Sequence, residues 1–200
     1  AHTIIFSKGH QTVNAGELYQ KSIAFANGLR KKGFKEKDRM VIIVPPGKEF
    51  LEIFFAANLL KAMIAIIDPE MGRDNFESKL KQFNPQWMFV DSRLLFLKEN
   101  PLLLKCYLKL SDHPFYFSFN NKATIIATGK RMPLRGDYFN YNKLYSTAEQ
   151  TISFEDNTDE EFMVTYTSGT LAEPKGVVHS VSSLFKSLLK IKNVLSSYNE

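Results

Sequence analysis

Short, unbroken apolar runs alternate with stretches of helical periodicity through residues 14–90, and few folds accept that pattern. Met40 to Val44, Met63 to Ile67 and Trp87 to Val90 are apolar along their whole length. A strand with one wet face alternates apolar with polar, so runs without alternation predict strands covered on both faces. Between them lie helical segments. Asn14 followed by Glu17 is a capping-box-like start. Leu18, Ser22, Phe25, Ala26 and Leu29 then recur at helical spacing until Gly33. Pro45-Pro46-Gly47 stops the first run, and an apolar helix is predicted over Glu49 to Leu60. Asp68-Pro69 stops the second, and Asp74 or Asn75 is read as the cap of a helix through Phe83. Strand and helix in alternation predict an α/β fold with a mostly parallel sheet flanked by helices.

The flanks are less regular. Thr3 to Phe6 and Gln11 to Val13 suit a hairpin around Ser7-Lys8-Gly9. Leu94 to Leu110 reads as helix, broken at Pro101. Phe115 to Phe119 and Ala123 to Thr128 flank Asn120-Asn121, which predicts a second hairpin. Gly129 to Ser146 reads as loop, Phe162 to Tyr166 as strand, and Ser182 to Leu195 as a closing helix. The chain is expected to divide into subregions 1–110 and 111–200.

Several function classes drop out. The net charge of +5 (26 basic minus 21 acidic residues) favours anions. The lysines of Leu29 to Lys37 and Lys186 to Lys192 are interrupted by apolar or turn residues, so no nucleic-acid partner is expected. The most membrane-like window, Phe50 to Ile67, is short and broken by Glu52 and Lys61, so no span is expected. Ala1 to Phe6 lacks the basic start and apolar core of a signal peptide. Cys106 is the one cysteine, which excludes an internal disulfide and points to a reducing, cytoplasmic location. Among leucines and Tyr107, it is expected to be a buried apolar thiol. The acidic run Asp156, Asp159, Glu160 and Glu161 reads as a solvated linker. His2, His10 and His113 show no metal-ligand spacing, and His179 reads as a loop or cap residue. Phe25, Phe54, Phe55 and Phe89 are expected in the core.

One segment carries chemistry. Tyr166-Thr167-Ser168-Gly169-Thr170-Leu171-Ala172-Glu173-Pro174-Lys175-Gly176 follows a predicted strand and is read as leading to a helix. Glycines let a backbone approach an anion, and successive amides form an anion nest. Hydroxyls donate to phosphate oxygens, and a lysine supplies opposing charge. The order is not that of a Walker A loop, because Lys175 precedes Gly176 and Val177 follows.

Thr167, Ser168, Gly169, Thr170, Pro174, Lys175, Gly176 and Val177 match the signature loop of the adenylate-forming (AMP-binding) enzymes, and the chain resembles that family. Its members include acyl-CoA synthetases, luciferase-like ligases and peptide-synthetase adenylation domains. Leu171 and Ala172 depart from the Thr and Gly usual there, removing a hydroxyl and adding a Cβ. Further likeness lies in Glu17-Leu18, Ala26-Asn27-Gly28-Leu29, Gly33, Asp38-Arg39, Pro45-Pro46-Gly47, Glu49-Phe50 and Ile66-Ile67-Asp68-Pro69. The Pro-Pro-Gly and Ile-Asp-Pro-Glu-Met-Gly wording is similar to the β-lactone synthetases.

The resemblance implies the N-terminal part of an AMP-binding large domain over residues 1–200, with a less regular β-containing middle and no C-terminal lid. It implies ATP and Mg²⁺ as cofactors and a carboxylic, fatty acid as substrate. The acid would be activated as an acyl-adenylate and passed to CoA or a related thiol. Thr167, Ser168, Gly169, Thr170, Lys175 and Gly176 would bind the nucleotide, while the catalytic lysine and the metal site would lie downstream. The other readings are a non-catalytic binding or regulatory domain that keeps the fold, and β-lactone synthesis by a longer parent.

Overall fold

The computed structural model describes residues 3–6, 11–110, 116–118, 122–146, 159–166 and 175–197. A hairpin of β1 (Thr3–Phe6) and β2 (Gln11–Asn14) opens the chain as expected. Helix α1 (Ala15–Lys31) starts where Asn14 Oδ1 accepts the amide of Gly16 at 2.7 Å. Glu17 does not close a capping box; it pairs with Lys48 at 2.8 Å and Lys21 at 3.0 Å. Gly33, at φ +97°, turns the chain out of the helix.

The α/β unit follows: β3 (Arg39–Ile43), α2 (Lys48–Leu59), β4 (Met63–Ile66), α3 (Arg73–Phe83) and β5 (Trp87–Asp91). Neither Asp74 nor Asn75 caps α3, whose N-cap is Gly72, with no side-chain hydrogen bond. Helices α4 (Ser92–Glu99) and α5 (Pro101–Leu110) lead to β6 (Thr124–Thr128), and then come β7 (Phe139–Asn140), β8 (Glu161–Tyr166), β9 (Gly176–Ser180) and α6 (Val181–Ser197).

Among the described residues the main sheet has seven strands in the order β7-β6-β5-β3-β4-β8-β9. Every pairing is parallel except β8 with β9. Both faces are covered, as the apolar runs required. Met40, Ile42, Ile64, Phe89 and Ile126 pack with Phe25 and Leu29 of α1 and Ile53 and Ala56 of α2. Val41, Ile43, Ala65, Met88 and Val90 pack with Phe76, Leu80 and Phe83 of α3 and Leu95 of α4. Each such side chain, fully buried, contributes about 2 kcal/mol relative to exposure, which outweighs strand propensity as the cause of the sheet.

Four sequence expectations are corrected. Among the described residues the hairpin expected around Asn120-Asn121 does not form: β6 pairs in parallel with β5 and β7, and residues 116–118 form no strand, while Phe115, Phe119, Asn120 and Asn121 lie outside the described residues. The expected loop of residues 129–146 contributes β7 and a 3₁₀ turn, Tyr141–Lys143, that buries Tyr141 and Leu144. The Tyr141 ring fits against Phe25, centroids 4.6 Å apart. Cys106 is exposed, because α5 buries none of its residues. Phe25 and Phe89 are buried and Phe54 packs at the core's margin, but Phe55 is exposed on the outer side of α2. Of the acidic run, Asp156 lies outside the described residues. Asp159 accepts the Ser182 hydroxyl at 3.2 Å, and Glu160 approaches Lys61 at 4.0 Å. His2, His10 and His113 also lie outside the described residues.

Gly28 fixes how the 3₁₀ segment seats on α1. A Cβ there would lie 1.3 Å from the carbonyl oxygen of Leu144. Gly28→Ala is therefore expected to cost about 3 kcal/mol in urea unfolding. Gly33→Ala, where a Cβ meets nothing within 4 Å but φ is positive, should cost only about 1 kcal/mol. Equal losses would contradict this packing.

Candidate functional site

Parallel strands place their C-terminal ends along one edge, where ligands of open α/β sheets bind. Two places on that edge bring functional side chains together.

The first is the β8–β9 hairpin. Tyr166 and Gly176 form its last rung, so residues 167–175 leave and return at the same point of the edge. The motif therefore joins two antiparallel strands, not a strand and a helix as expected from sequence; β9 intervenes before α6. Thr167, Ser168, Gly169 and Thr170 lie outside the described residues, as do Leu171, Ala172 and Pro174. Lys175 is exposed at the start of β9. At Gly176 a Cβ would stand 3.0 Å from Val164 Cγ1 and 3.3 Å from Tyr166 Cε1, so glycine lets β9 close against β8. His179 is neither loop nor cap: it sits in β9 with Nε2 2.7 Å from Thr165 Oγ1. The cap of α6 is Ser180, whose hydroxyl accepts the amide of Ser183 at 3.2 Å.

Sequence reasoning missed a cation at this hairpin. The Lys79 ammonium lies 5.6 Å from the centre of the Tyr166 ring, and the Tyr166 hydroxyl donates to the Lys79 carbonyl at 3.4 Å. Partial burial pulls the Lys79 pKa down, and the Asp68 carboxylate partly offsets this. Lys79 lies on the polar side of an amphipathic helix, where sequence shows only an ordinary surface lysine.

The second place is where the strand order reverses. From β3 the chain moves to β4 on one side, then crosses back to β5 on the other. The crevice between the ends of β3 and β5 holds a cavity of about 650 Å³. Gly47, Lys48 and Glu49 of the α2 start, Asp91 and Arg93 of the α4 start, and Gly129 and Lys130 after β6 line it. Asp91 Oδ1 caps α4 by accepting the amide of Arg93 at 2.8 Å, and the same side chain receives Arg93 Nε at 2.9 Å and Nη2 at 2.6 Å. Glu49 Oε2 accepts the amide of Gly129 at 2.7 Å. Burial pushes the Glu49 pKa up, the Gly129 amide opposes this, and the charges of Glu52 and Asp91 reinforce it. Below lies Glu52, 2% exposed, whose Oε2 accepts from both Tyr141 and Tyr145. Burial pushes both phenol pKa values up, so the two hydroxyls stay donors. Glu52 was visible in sequence only as a break in an apolar helix.

Among the described residues no three His, Cys, Asp or Glu side chains are grouped to hold a metal, and no helix is long and apolar enough to cross a membrane.

Comparison with known proteins agrees with the motif. The family model described as AMP-binding enzyme matches residues 1–199. Acetyl-coenzyme A synthetase of Psychrobacter cryohalolentis is 21% identical over 193 residues, covering 92% of this chain and 29% of that protein. The peroxisomal trans-cinnamate:CoA ligase of Petunia hybrida is 26% identical over 184 residues, covering 86% of this chain and 31% of that one. The chain thus spans about three tenths of these relatives. The fatty acyl-adenylate ligase from L. pneumophila, solved with acyl adenylate and pyrophosphate, superposes with a TM-score of 0.58 at 21% identity, covering 94% of this chain and 29% of that chain. An anthranilate CoA ligase solved with anthranoyl-AMP gives 0.66 at 18% identity, over 90% and 32%. Both share the fold described above.

The environment of Glu49 predicts a pH signature. A raised carboxyl pKa adds stability while the group is protonated, and that stability is lost as pH rises through the shifted value. Glu49→Gln keeps an acceptor for Gly129 and removes the half-buried charge. Its melting temperature should exceed the parent's at pH 7, with the gap closing as pH falls below the ordinary value of 4.5. A gap that widens toward acid would contradict the burial argument.

Proposed function

We propose, from the premise that this chain belongs to the AMP-binding enzyme family, that it is the phosphate-gripping part of an ATP-dependent acid ligase. In the reaction a carboxylate oxygen of the acid attacks the α-phosphorus of ATP. The bond from that phosphorus to the β-phosphate bridge breaks, leaving acyl-adenylate and pyrophosphate. Positioning and neutralisation of phosphate charge lower such barriers.

In this reading the hydroxyls of Thr167, Ser168 and Thr170 and the backbone at Gly169 hold the β- and γ-phosphates. Lys175 offsets the charge that gathers on the departing pyrophosphate. Gly176 binds through its position: it keeps β9 against β8, so that both ends of the loop are anchored on one rung. Mg²⁺, when bound, would supply positive charge against that of the phosphates, and no described side chain is assigned to hold it. The observation that carries the reading is the Thr-Ser-Gly-Thr…Pro-Lys-Gly string tethered at the C-terminal edge of the sheet. The L. pneumophila relative holds acyl adenylate and pyrophosphate, the two products of this step. A fatty acid as substrate, CoA or a related thiol as acceptor and a cytoplasmic location belong to the same proposal. Leu171 and Ala172, which give the loop one hydroxyl fewer and one Cβ more, favour the second reading: a binding domain without catalysis.

The test is titration of Mg²⁺-ATP into the ¹⁵N-labelled chain. Saturable shifts at Thr167 to Thr170, Lys175 and Gly176 are expected, with Lys175→Ala weakening the affinity about tenfold. Amides that do not respond would contradict the proposal.

A further inference from the structure

Helix α5 packs against α4 and buries none of its ten residues, although five of the ten are leucine. Leu102 and Leu110 are 81% and 87% exposed, and Leu103, Tyr107 and Leu108 are exposed as well. Single exposed leucines are ordinary. A contiguous apolar helix face turned to water marks an interaction surface.

We propose that α5 docks on an anionic lipid surface, lying in the plane of the headgroups without spanning the bilayer. This goes beyond the ligase reading and does not rest on it. Three observations carry it. First, the apolar row points away from the body of the protein. Residues four apart share a row along a helix, and Leu102, Cys106 and Leu110 form one. Leu104 alone in α5 is half-buried. At about 100° per residue, it lies on the far side of the helix from Cys106.

Second, the flanks of that row suit a water–lipid boundary. Lys105 and Lys109 form the adjoining row on one side, and Leu103 and Tyr107 the row on the other. Lysine stems can lie along apolar surface while their ammonium groups reach the headgroups. Third, the charge is of one sign. α5 contains no acidic residue. Glu99, two residues before it, accepts the amides of Arg135 and Gly136 at 2.8 Å each. The complementary surface is therefore both apolar and negatively charged, as an anionic bilayer is.

A second copy of the chain fits less well. Two α5 helices in contact would bring four lysines and no acid to one small seam. A helix about 15 Å long also covers far less than the roughly 800 Å² per partner of a stable interface. A bilayer demands no matching shape.

Cys106, the one cysteine of the chain, lies in the row that would enter the lipid and is exposed, so it can carry the probe. The experiment attaches a nitrobenzoxadiazole dye there and titrates vesicles of equimolar phosphatidylcholine and phosphatidylglycerol, with pure phosphatidylcholine as the neutral control. A saturable blue shift of the emission is expected with the anionic vesicles, and binding about tenfold weaker with the neutral ones. Lys105→Gln combined with Lys109→Gln should weaken anionic binding about tenfold or more. Leu102→Gln combined with Leu110→Gln should do the same at an unchanged melting temperature, because both side chains are more than four-fifths exposed. The unlabelled chain should sediment with the same vesicles, which shows that the dye is not the anchor. The proposal is overturned by emission that does not shift, by neutral vesicles binding as tightly, by either double variant binding like the parent, or by unlabelled chain that stays in solution. A blue shift without vesicles that grows with protein concentration also overturns it, and assigns the face to a second copy.

Discussion

Parallel pairing between strands buried on both faces is the constraint from which the rest of this molecule follows. A parallel pair cannot be joined by a tight turn, so every connection must cross over the sheet. Helix α1 and the crossover helices α2, α3 and α4 cover the faces that Met40 to Ile43 and Trp87 to Val90 require to be dry. The same geometry puts the C-terminal ends of β3, β4, β5, β6 and β8 on one edge. Residues that are remote in sequence, such as Glu49 and Gly129, meet there because their strands end there. Function at this edge is a consequence of how the core is buried.

The edge is polarised by what each strand end carries. Around β3 and β5 two helices start side by side, and charges of both signs are tied into short hydrogen bonds. Beneath them, Glu52 with Tyr141 and Tyr145 forms a polar core inside an apolar layer. It is tolerated because two phenols donate to one carboxylate oxygen. Around β8 the arrangement is simpler: a hairpin closed at Gly176, a lysine leaning over Tyr166 and a glycine- and hydroxyl-rich connection. The first place is built by tertiary packing, the second by a contiguous string of residues.

That difference explains what sequence could and could not reveal. The apolar runs of β3, β4 and β5, the Asn14 cap and the Gly33 stop were legible because each is local. The Thr-Ser-Gly-Thr…Pro-Lys-Gly string is local too, and the family resemblance it carried agrees with the family model that matches residues 1–199. The cavity was not legible, since it depends on strand order, and nothing in Pro45-Pro46-Gly47 says that β5 lies next to β3. Strand β7 has two residues, too few for any periodicity, and β9 was hidden because its Gly-Val-Val-His-Ser run adjoins the motif. Cys106 misled for a general reason: leucine-rich helices are usually covered, whereas Leu102 and Leu110 are 81% and 87% exposed. Lys79 and Lys130 look like any surface lysine until the aromatic ring or the cavity beside them is placed.

The central claim is that the connection from Tyr166 to Gly176 exists to grip a polyphosphate at the edge of the sheet. A crystal structure of the chain with Mg²⁺-pyrophosphate tests it most directly. The account predicts pyrophosphate oxygens against the amides and hydroxyls of Ser168 to Thr170, with the Lys175 ammonium beside them. The account is contradicted if those amides and hydroxyls bond to one another and leave no room for an anion.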